Sequence, residues 1–182
     1  HPRDGFILWC YPMRIFQTVL SFCLFATSPA FSKRVALVVG NGAYENTVAL
    51  ANPARDAKAV ATQLMAVGFD VLHVEDVDQR AFGTELARFA GEAGGGEAGV
   101  LYFAGHGMQL RGQDYLLSTD ARVDSAFSID ADGMQLNRVL EMMERRAARS
   151  IALIDACRDN PLASALANRV GGRARSIGLS RG

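Results

Sequence analysis

Short apolar runs alternate along the chain with segments in which apolar residues recur every three or four positions. The apolar runs occupy residues 35–39, 71–74, 100–104 and 150–154. Runs of this length are typical of strands buried within a sheet. The segments with helical spacing occupy residues 53–67, 82–90 and 136–143. Because parallel strands must be joined by crossovers, this alternation predicts an α/β fold with a mostly parallel central sheet and helices on both faces.

Local signals predict one helix start and one hairpin. Asn52 is expected to cap the first helix, and Pro53 suits its first position. Residues 108–117 are predicted to form a hairpin around Arg111-Gly112, because a turn signal here separates two short apolar stretches.

The C-terminal segment 158–182 contains glycines and arginines without a regular period, which predicts a long linker loop. Compact domains seldom end with about 20 residues of loop. We therefore expect the α/β domain, which the sequence assigns to residues 33–182, to be incomplete at its C-terminal end.

The N-terminal residues follow a different pattern. Met13-Arg14 precedes an apolar run that is shorter than the roughly 20 residues needed to span a bilayer. The small residues of Ser28-Pro29-Ala30 follow this run. This order is typical of a signal peptide over residues 13–30, and the run is too short for the alternative, a membrane anchor. We therefore predict a periplasmic or secreted protein without a stable membrane span after cleavage, and we assign residues 1–12 to an upstream leader.

The composition is that of an ordinary globular domain. The chain has 182 residues, of which 49% are hydrophobic, and this suits one domain with a sizeable core. Its 19 Lys and Arg balance 19 Asp and Glu, so net charge gives no reason to expect nucleic acid as a partner. The cysteines Cys10, Cys23 and Cys157 are too few and too far apart for a disulfide framework or a zinc site. Signal cleavage would leave Cys157 as the sole thiol of an exported chain, which makes it a candidate reactive group.

A histidine and this cysteine each follow one of the predicted buried strands. Gly105-His106-Gly107 follows the run 100–104, and Cys157 follows the run 150–154. The carboxyl ends of parallel strands lie at the same edge of a sheet, where α/β domains bind their ligands. An imidazole that accepts the thiol proton makes cysteine nucleophilic, so we predict Cys157 as nucleophile and His106 as acid/base. The N–H groups of Gly107 and Cys157 are candidates for an oxyanion hole. Taken singly, a buried apolar cysteine and a hydrogen-bonded histidine are the alternatives.

These loops belong to longer motifs. Four motifs occur in order: ALVVGNGAY at 36–44, NPARDA at 52–57, YFAGHG at 102–107 and IDACRDNP at 154–161. They resemble those of the bacterial caspase-like peptidases, relatives of the metacaspases, and a histidine about 50 residues before the cysteine matches a known caspase pattern. The resemblance extends from about Lys33 to the end of the chain. It implies a caspase-like three-layer sandwich and a cysteine endopeptidase whose dyad is Cys157 and His106, with no obligatory third catalytic residue.

The resemblance also implies cleavage after Arg or Lys. Asp155 stands where animal caspases have Gln, and in metacaspase-like relatives an acidic residue there lines the primary specificity pocket. A carboxylate suits a guanidinium because paired, charge-assisted hydrogen bonds match its shape, whereas a strand-end cap is the alternative role. Asn41 matches the loop where animal caspases place an Arg that binds acidic substrates, so we predict Asn41 as a second substrate-binding residue. Asp56 resembles a further acidic motif position, although the helix dipole also accounts for it.

No cofactor or metal is predicted. Calcium activates some metacaspase relatives, but the chain shows no EF-hand spacing, and we expect its loop carboxylates to be solvated. These carboxylates are Asp120, Asp124, Asp130 and Asp132. The predicted partners are protein or peptide substrates with basic residues, and the oligomeric state is left open. Two other functions also stay open: a non-catalytic caspase-like binding or regulatory module, and a thiol redox protein, which would lack a resolving cysteine.

Overall fold

The computed structural model describes residues 33–156 and the backbone of residues 174–175. The strands are β1 (Arg34–Gly40), β2 (Asp70–Glu75), β3 (Gly96–Gly105), β4 (Gly107–Leu110), β5 (Gln113–Leu117), β6 (Gly133–Gln135), β7 (Ala147–Ala156) and β8 (Ala174–Arg175). The helices are α1 (Pro53–Ala66), α2 (Gln79–Glu92), α3 (Ala126–Asp132) and α4 (Leu136–Glu144). None of these four helices is long and apolar enough to cross a membrane. The predicted leader, the signal peptide, Cys157 and most of the predicted linker loop lie outside the described residues.

Four parallel strands form the central sheet, in the order β2-β1-β3-β7. Strand β1 is buried from Val35 to Val39, because it has a strand on each edge and helices over both faces. Helices α1 and α2 provide the crossovers between β1, β2 and β3. The predicted α/β fold with a central parallel sheet is confirmed.

Alternate side chains of β1 enter two separate cores. Val38 packs with α1 residues on one face of the sheet. Leu37 packs on the other face, in a core that includes residues of α2 and α4. In that core Phe82 of α2 stacks on Phe103 of β3, with ring centroids 5.8 Å apart. Helices therefore cover both faces of the sheet, as predicted, and apolar burial on both faces drives the formation of the three layers.

A second, antiparallel sheet follows β3 and has the order β6-β5-β4-β8. Strands β4 and β5 form the predicted hairpin, and Arg111 and Gly112 are its two turn residues. Both have positive φ, 51° and 81°, as a tight two-residue hairpin turn requires. This hairpin extends the chain directly beyond the carboxyl end of β3.

Three short elements differ from the sequence prediction. Helix α3 and strand β6 were not predicted, because α3 has only seven residues and β6 only three. Asp130 and Asp132 therefore lie in a helix and not, as predicted, in a loop. Within the predicted loop 158–182, residues 174 and 175 form β8 against β4. Backbone pairing over two residues leaves no periodic side-chain pattern, so the sequence gives no sign of it.

The start of α1 corrects a second prediction. Asn52 occupies the N-cap position, but its side chain makes no capping hydrogen bond. Its backbone already lies in the helical region, with φ −102° and ψ −26°, and its carbonyl accepts the Asp56 N–H at 3.0 Å. A capping side chain needs a more extended backbone at this position, which explains the difference.

The close approach of α1 to β1 gives a stability prediction. A Cβ on Gly40 would lie 2.6 Å from the Pro53 carbonyl oxygen and 2.7 Å from the Ala57 Cβ. Gly40→Ala is expected to lower the free energy of unfolding by about 1–3 kcal/mol, because α1 would have to move off the sheet. The control is Gly83→Ala in α2, where no atom lies within 4 Å. That change is expected to stabilise the helix by about 0.5–1 kcal/mol. Urea unfolding of both variants measures the difference, and an unchanged midpoint for Gly40→Ala would contradict the packing described here.

Candidate active site

The loop between β3 and β4 holds His106 in a buried position, with 2% of its surface exposed. Its Nε2 lies 2.7 Å from the carbonyl oxygen of Val48. A carbonyl oxygen can only accept, so Nε2 carries the proton and, in the neutral ring, Nδ1 carries the lone pair. Nδ1 is itself buried and has no hydrogen-bond partner within residues 33–156. His106 is therefore a neutral imidazole with its basic nitrogen available for proton transfer.

The environment of His106 also sets its charge. Burial lowers the pKa of His106 below its usual 6.5, and the hydrogen bond to Val48 opposes this shift with a smaller effect. Desolvation penalises the charged imidazolium, so the neutral ring predominates at pH 7. A ring that is neutral at rest and accepts a proton during the reaction is what a general base requires.

Tyr44 fixes the backbone on which the His106 ring stands. The His106 N–H donates to the Tyr44 hydroxyl at 2.7 Å, and this hydroxyl is 3.2 Å from the carbonyl oxygen of Leu117, to which it donates. The two rings also pack together, with centroids 4.4 Å apart. Gly105 leaves room for this contact, since a Cβ there would lie 2.5 Å from the hydroxyl oxygen. The glycine before His106 thus serves close packing.

The two predicted dyad residues follow neighbouring strands. Strands β3 and β7 are parallel partners, and Gly105 pairs with Ala156. His106 and Cys157 are the residues that come next along the sequence. The structure therefore brings the carboxyl ends of the two strands together, while Cys157 itself lies outside the described residues.

Gly107, the predicted oxyanion-hole residue, begins β4 and pairs with Leu116. The carbonyl of His106 accepts the N–H of Leu117 at 3.0 Å, so this carbonyl is directed to β5. Successive residues of a strand face opposite edges, and the N–H of Gly107 is therefore directed to the edge away from β5. The role of Gly107 in an oxyanion hole stays a prediction.

Asn41 crosslinks loops in the structure, and its predicted role as a substrate-binding residue stays a prediction. Its side chain is completely buried, and its Oδ1 accepts the Val77 N–H at 3.0 Å. Its Nδ2 donates to the carbonyl oxygens of Leu117 at 3.2 Å and Val77 at 3.5 Å. The amide thus joins the ends of β1, β2 and β5. Sequence position alone does not distinguish a side chain that faces the substrate from one that crosslinks loops.

An acidic cavity of about 180 Å³ lies beside this loop, between α1 and the carboxyl ends of β3 and β7. Asp56 and Asp155 both line it, together with apolar atoms of Leu50 and Ala104. Tyr102 lies close to both carboxylates. Its hydroxyl donates to Asp155 Oδ2 at 3.4 Å. Burial, followed by the negative charges of Asp155 and Asp56, raises the pKa of Tyr102 to about 12. Two carboxylates therefore line one small cavity and make it negatively charged.

These carboxylates have little internal charge compensation. Asp56 forms an ion pair at 3.2 Å with its neighbour Arg55, whose side chain is 75% exposed. Exposed pairs of this kind contribute little free energy, so a cationic ligand can compete with Arg55. Asp155 forms no ion pair with the residues that the structure describes. The cavity is consequently suited to a cationic side chain.

Two features of the site went beyond the sequence interpretation. The sequence allows Asp56 to be either an acidic motif position or a residue that interacts with the helix dipole, and the structure places it on the same cavity as Asp155. Its position just after the β1 loop, at the ligand-binding edge of the sheet, is the signal that could have identified it. Val48 contributes only a backbone carbonyl, for which no residue type is required and no sequence signal exists.

The predicted solvated carboxylates have protein partners in the structure. Asp130 accepts from the Tyr115 hydroxyl, and Asp132 Oδ2 lies 3.0 Å from Arg122 Nε. Asp124 accepts from the Ser128 hydroxyl. Among the described residues, no group of three or more His, Cys, Asp or Glu side chains is arranged to hold a metal ion.

Fold and site together define a class of protein: a three-layer α/β domain with a buried histidine directly after a strand of the parallel sheet. Comparison with known proteins identifies the family: the model of the caspase domain matches residues 33–177, and the chain belongs to this family, whose members are cysteine peptidases. The chain is also similar to two curated proteins, mucosa-associated lymphoid tissue lymphoma translocation protein 1 of Homo sapiens and its homolog of Mus musculus. Each is 25% identical over 134 residues, which are 71% of this chain and 16% and 15% of the respective relative. The matched region spans about a sixth of the length of these relatives.

Among solved structures, protein GSU0716 from Geobacter sulfurreducens superposes with a TM-score of 0.52 at 17% sequence identity. The superposition covers 76% of this chain and 57% of that chain. At this level of identity the likeness supports the fold alone.

Proposed function

We propose that the protein is a cysteine endopeptidase that hydrolyses peptide bonds after Arg or Lys through a Cys157/His106 dyad. Membership of the caspase domain family supports cysteine peptidase chemistry. The buried Nδ1 of His106, which has no hydrogen-bond partner among the described residues, supports its role as the base. The observation that carries the proposed specificity is the cavity lined by Asp56 and Asp155 next to that base.

In the proposed reaction, Nδ1 of His106 takes the proton of the Cys157 thiol, and the thiolate attacks the carbonyl carbon of the scissile bond. The resulting oxyanion accepts hydrogen bonds from the N–H groups of Gly107 and Cys157. The protonated His106 then donates to the leaving amine, which departs as the C–N bond breaks. Water, deprotonated by His106, attacks the thioester and releases the acid product and the Cys157 thiol. The Val48 carbonyl stabilises the imidazolium that forms in both halves of the reaction.

The acidic cavity binds the side chain before the scissile bond. A guanidinium or ammonium group forms charge-assisted hydrogen bonds with Asp56 and Asp155. Their negative charges repel substrates with Asp or Glu at that position, which gives specificity by exclusion as well as by attraction. The apolar atoms of Leu50 and Ala104 contact the methylene groups of the same side chain.

The proposed setting of this activity is the periplasm or the extracellular space, reached by the signal peptide at residues 13–30. The reaction requires no cofactor. Activity that is unchanged by a calcium chelator is expected, because the carboxylates of the antiparallel-sheet region bind protein groups.

A panel of fluorogenic peptides that end in Arg, Lys or Asp tests the function. The purified protein is expected to cleave the Arg and Lys peptides and not the Asp peptide, and Cys157→Ala is expected to abolish cleavage. Folding of both proteins is checked by circular dichroism. No cleavage by a folded protein, with calcium added, would overturn the proposal and favour the non-catalytic binding module.

A further inference from the structure

The segment from Asn41 to Asn52, here called the site loop, determines the geometry of both the base and the specificity cavity. Its Tyr44 hydroxyl and Val48 carbonyl bind the backbone and the ring of His106. Its Leu50 lines the acidic cavity. A shift of this loop would therefore move the base and one wall of the cavity together.

The carboxylate of Asp76, the residue directly after β2, anchors the beginning of the site loop. Oδ1 of Asp76 accepts the N–H of Gly42 at 2.7 Å and the N–H of Ala43 at 2.8 Å. The Asp76 N–H donates to the Gly40 carbonyl at 3.0 Å, which ties the same residue to the end of β1. Hydrogen bonds to an ionised acceptor are about twice as strong as neutral ones, so this is a firm attachment. The second of the two amides belongs to the residue directly before Tyr44.

The backbone of Asp76 supports a specific role for this contact. Its φ is +50°, in the left-handed region that non-glycine residues seldom adopt. The next residue, Val77, places its N–H on Asn41 Oδ1 at 3.0 Å. The bend at Asp76 thus directs the Asp76 carboxylate and the Val77 N–H to the start of the site loop. These contacts offset the energetic cost of the positive φ.

We propose that Asp76 is a positioning residue for the catalytic base: by holding the N–H groups of Gly42 and Ala43, it keeps the site loop where Tyr44 and Val48 fix the His106 ring. This inference rests on the proposed peptidase function. Asp76 acts only through the site loop and contacts neither His106 nor the acidic cavity.

Three variants distinguish the positioning role of Asp76 from effects of its negative charge and of its strained backbone. Asp76→Gly removes the acceptor while the new residue adopts a positive φ without cost. Asp76→Asn keeps an acceptor oxygen and tolerates the left-handed region. Asp70→Gly, at the exposed amino-terminal end of β2, removes a carboxylate remote from the site loop and is the control.

We expect Asp76→Gly to lower kcat for an Arg peptide by about tenfold or more, because small displacements of a catalytic base are costly. Asp76→Asn is expected to stay within about threefold of the wild type, and Asp70→Gly to leave kcat unchanged.

The acid limb of the pH profile of kcat/KM should move to higher pH in Asp76→Gly, because a loosened site loop lets water reach His106. Within the described residues, only burial and the Val48 carbonyl shift the pKa of this ring. A general loss of stability would lower the amount of folded enzyme but would not move this limb.

A wild-type kcat and an unshifted acid limb in Asp76→Gly would overturn the inference. If the wild-type protein cleaves no peptide, the proposed function fails separately, and nitrogen NMR of the His106 ring then decides the positioning role. Loss of the hydrogen-bonded Nε2–H signal in folded Asp76→Gly, with its retention in Asp76→Asn, would support positioning. An unchanged signal in Asp76→Gly would contradict it.

Discussion

Replacing His106 by alanine is expected to lower kcat for cleavage after Arg by about 100- to 10,000-fold, the usual contribution of a general acid/base. Without the imidazole, the Cys157 thiol keeps its proton at neutral pH and the leaving amine has no proton donor. The measurement is steady-state hydrolysis of a fluorogenic Arg peptide. The control is His73→Ala, because His73 lies exposed on β2 with Glu75 3.3 Å away.

A loss of less than tenfold in His106→Ala would contradict the assignment of the base. The pH dependence gives a second check. Protonation of His106 stops its action as a base, and burial lowers its pKa, so the acid limb of kcat/KM is expected below pH 6.5. The thiol and imidazole titrate as a coupled pair, and this limb reports their apparent pKa.

The lowered pKa of His106 also makes the stability of the fold depend on pH. A histidine whose pKa is lower in the folded state binds fewer protons there than in the unfolded chain. The free energy of unfolding therefore falls as the pH drops below the unfolded value of about 6.5. In His106→Ala this part of the acid sensitivity should be absent, and urea unfolding between pH 7 and pH 5 measures it.

The central sheet could be predicted from the sequence because its two inner strands, β1 and β3, contain uninterrupted apolar runs. The run from Val35 to Val39 is buried on both faces, and such a strand leaves an unambiguous pattern. The placement of His106 followed from topology, since the residue after a parallel strand lies at its carboxyl end. Strand β8 and helix α3 depend instead on backbone pairing and a short capping motif around Ser125, which periodicity does not detect.

The residues of the site were less predictable than the sheet. Asn41 and Asp56 occupy neighbouring segments at the same edge, yet Asn41 is buried among loop carbonyls and Asp56 reaches the cavity. The difference comes from the direction in which each segment turns after β1, which depends on contacts far along the chain such as that of Asp76 with Gly42. A local sequence pattern holds no information on such contacts.

In the proposed peptidase, weak ion pairing of the two cavity carboxylates leaves them free to bind a cationic side chain. Asp155 lies close to the Tyr102 hydroxyl, a neutral donor, and among the described residues Asp56 is paired only with the exposed Arg55. In the proposed complex, a substrate guanidinium would displace only the weak ion pair between Arg55 and Asp56. Two carboxylates would offset the desolvation of this guanidinium more completely than a single carboxylate.

Asp155→Asn is expected to lower kcat/KM for Arg peptides by about 10- to 100-fold, because a hydrogen bond to a charged group contributes about 1.5–3 kcal/mol. Asp56→Asn should have a smaller effect, since Arg55 already neutralises part of its charge. The double variant should cleave Arg and Lys peptides poorly and should lose its discrimination against an uncharged glutamine peptide. Asp70→Asn, on exposed β2, is the matched control for loss of a carboxylate.

The two carboxylates touch the same bound group, so their effects are expected to be coupled. In a double-mutant cycle, the double variant should lose less free energy of transition-state binding than the sum of the single losses, because one remaining carboxylate binds the guanidinium in a changed geometry. Equal kcat/KM for the wild type and Asp155→Asn would show that the cavity does not select the cleaved residue. If only Asp155→Asn has an effect, Asp56 serves the start of α1 through the helix dipole, as the sequence alone would allow. Loss in both single variants, confined to basic peptides, establishes that the two strand ends and α1 form one pocket for a cation.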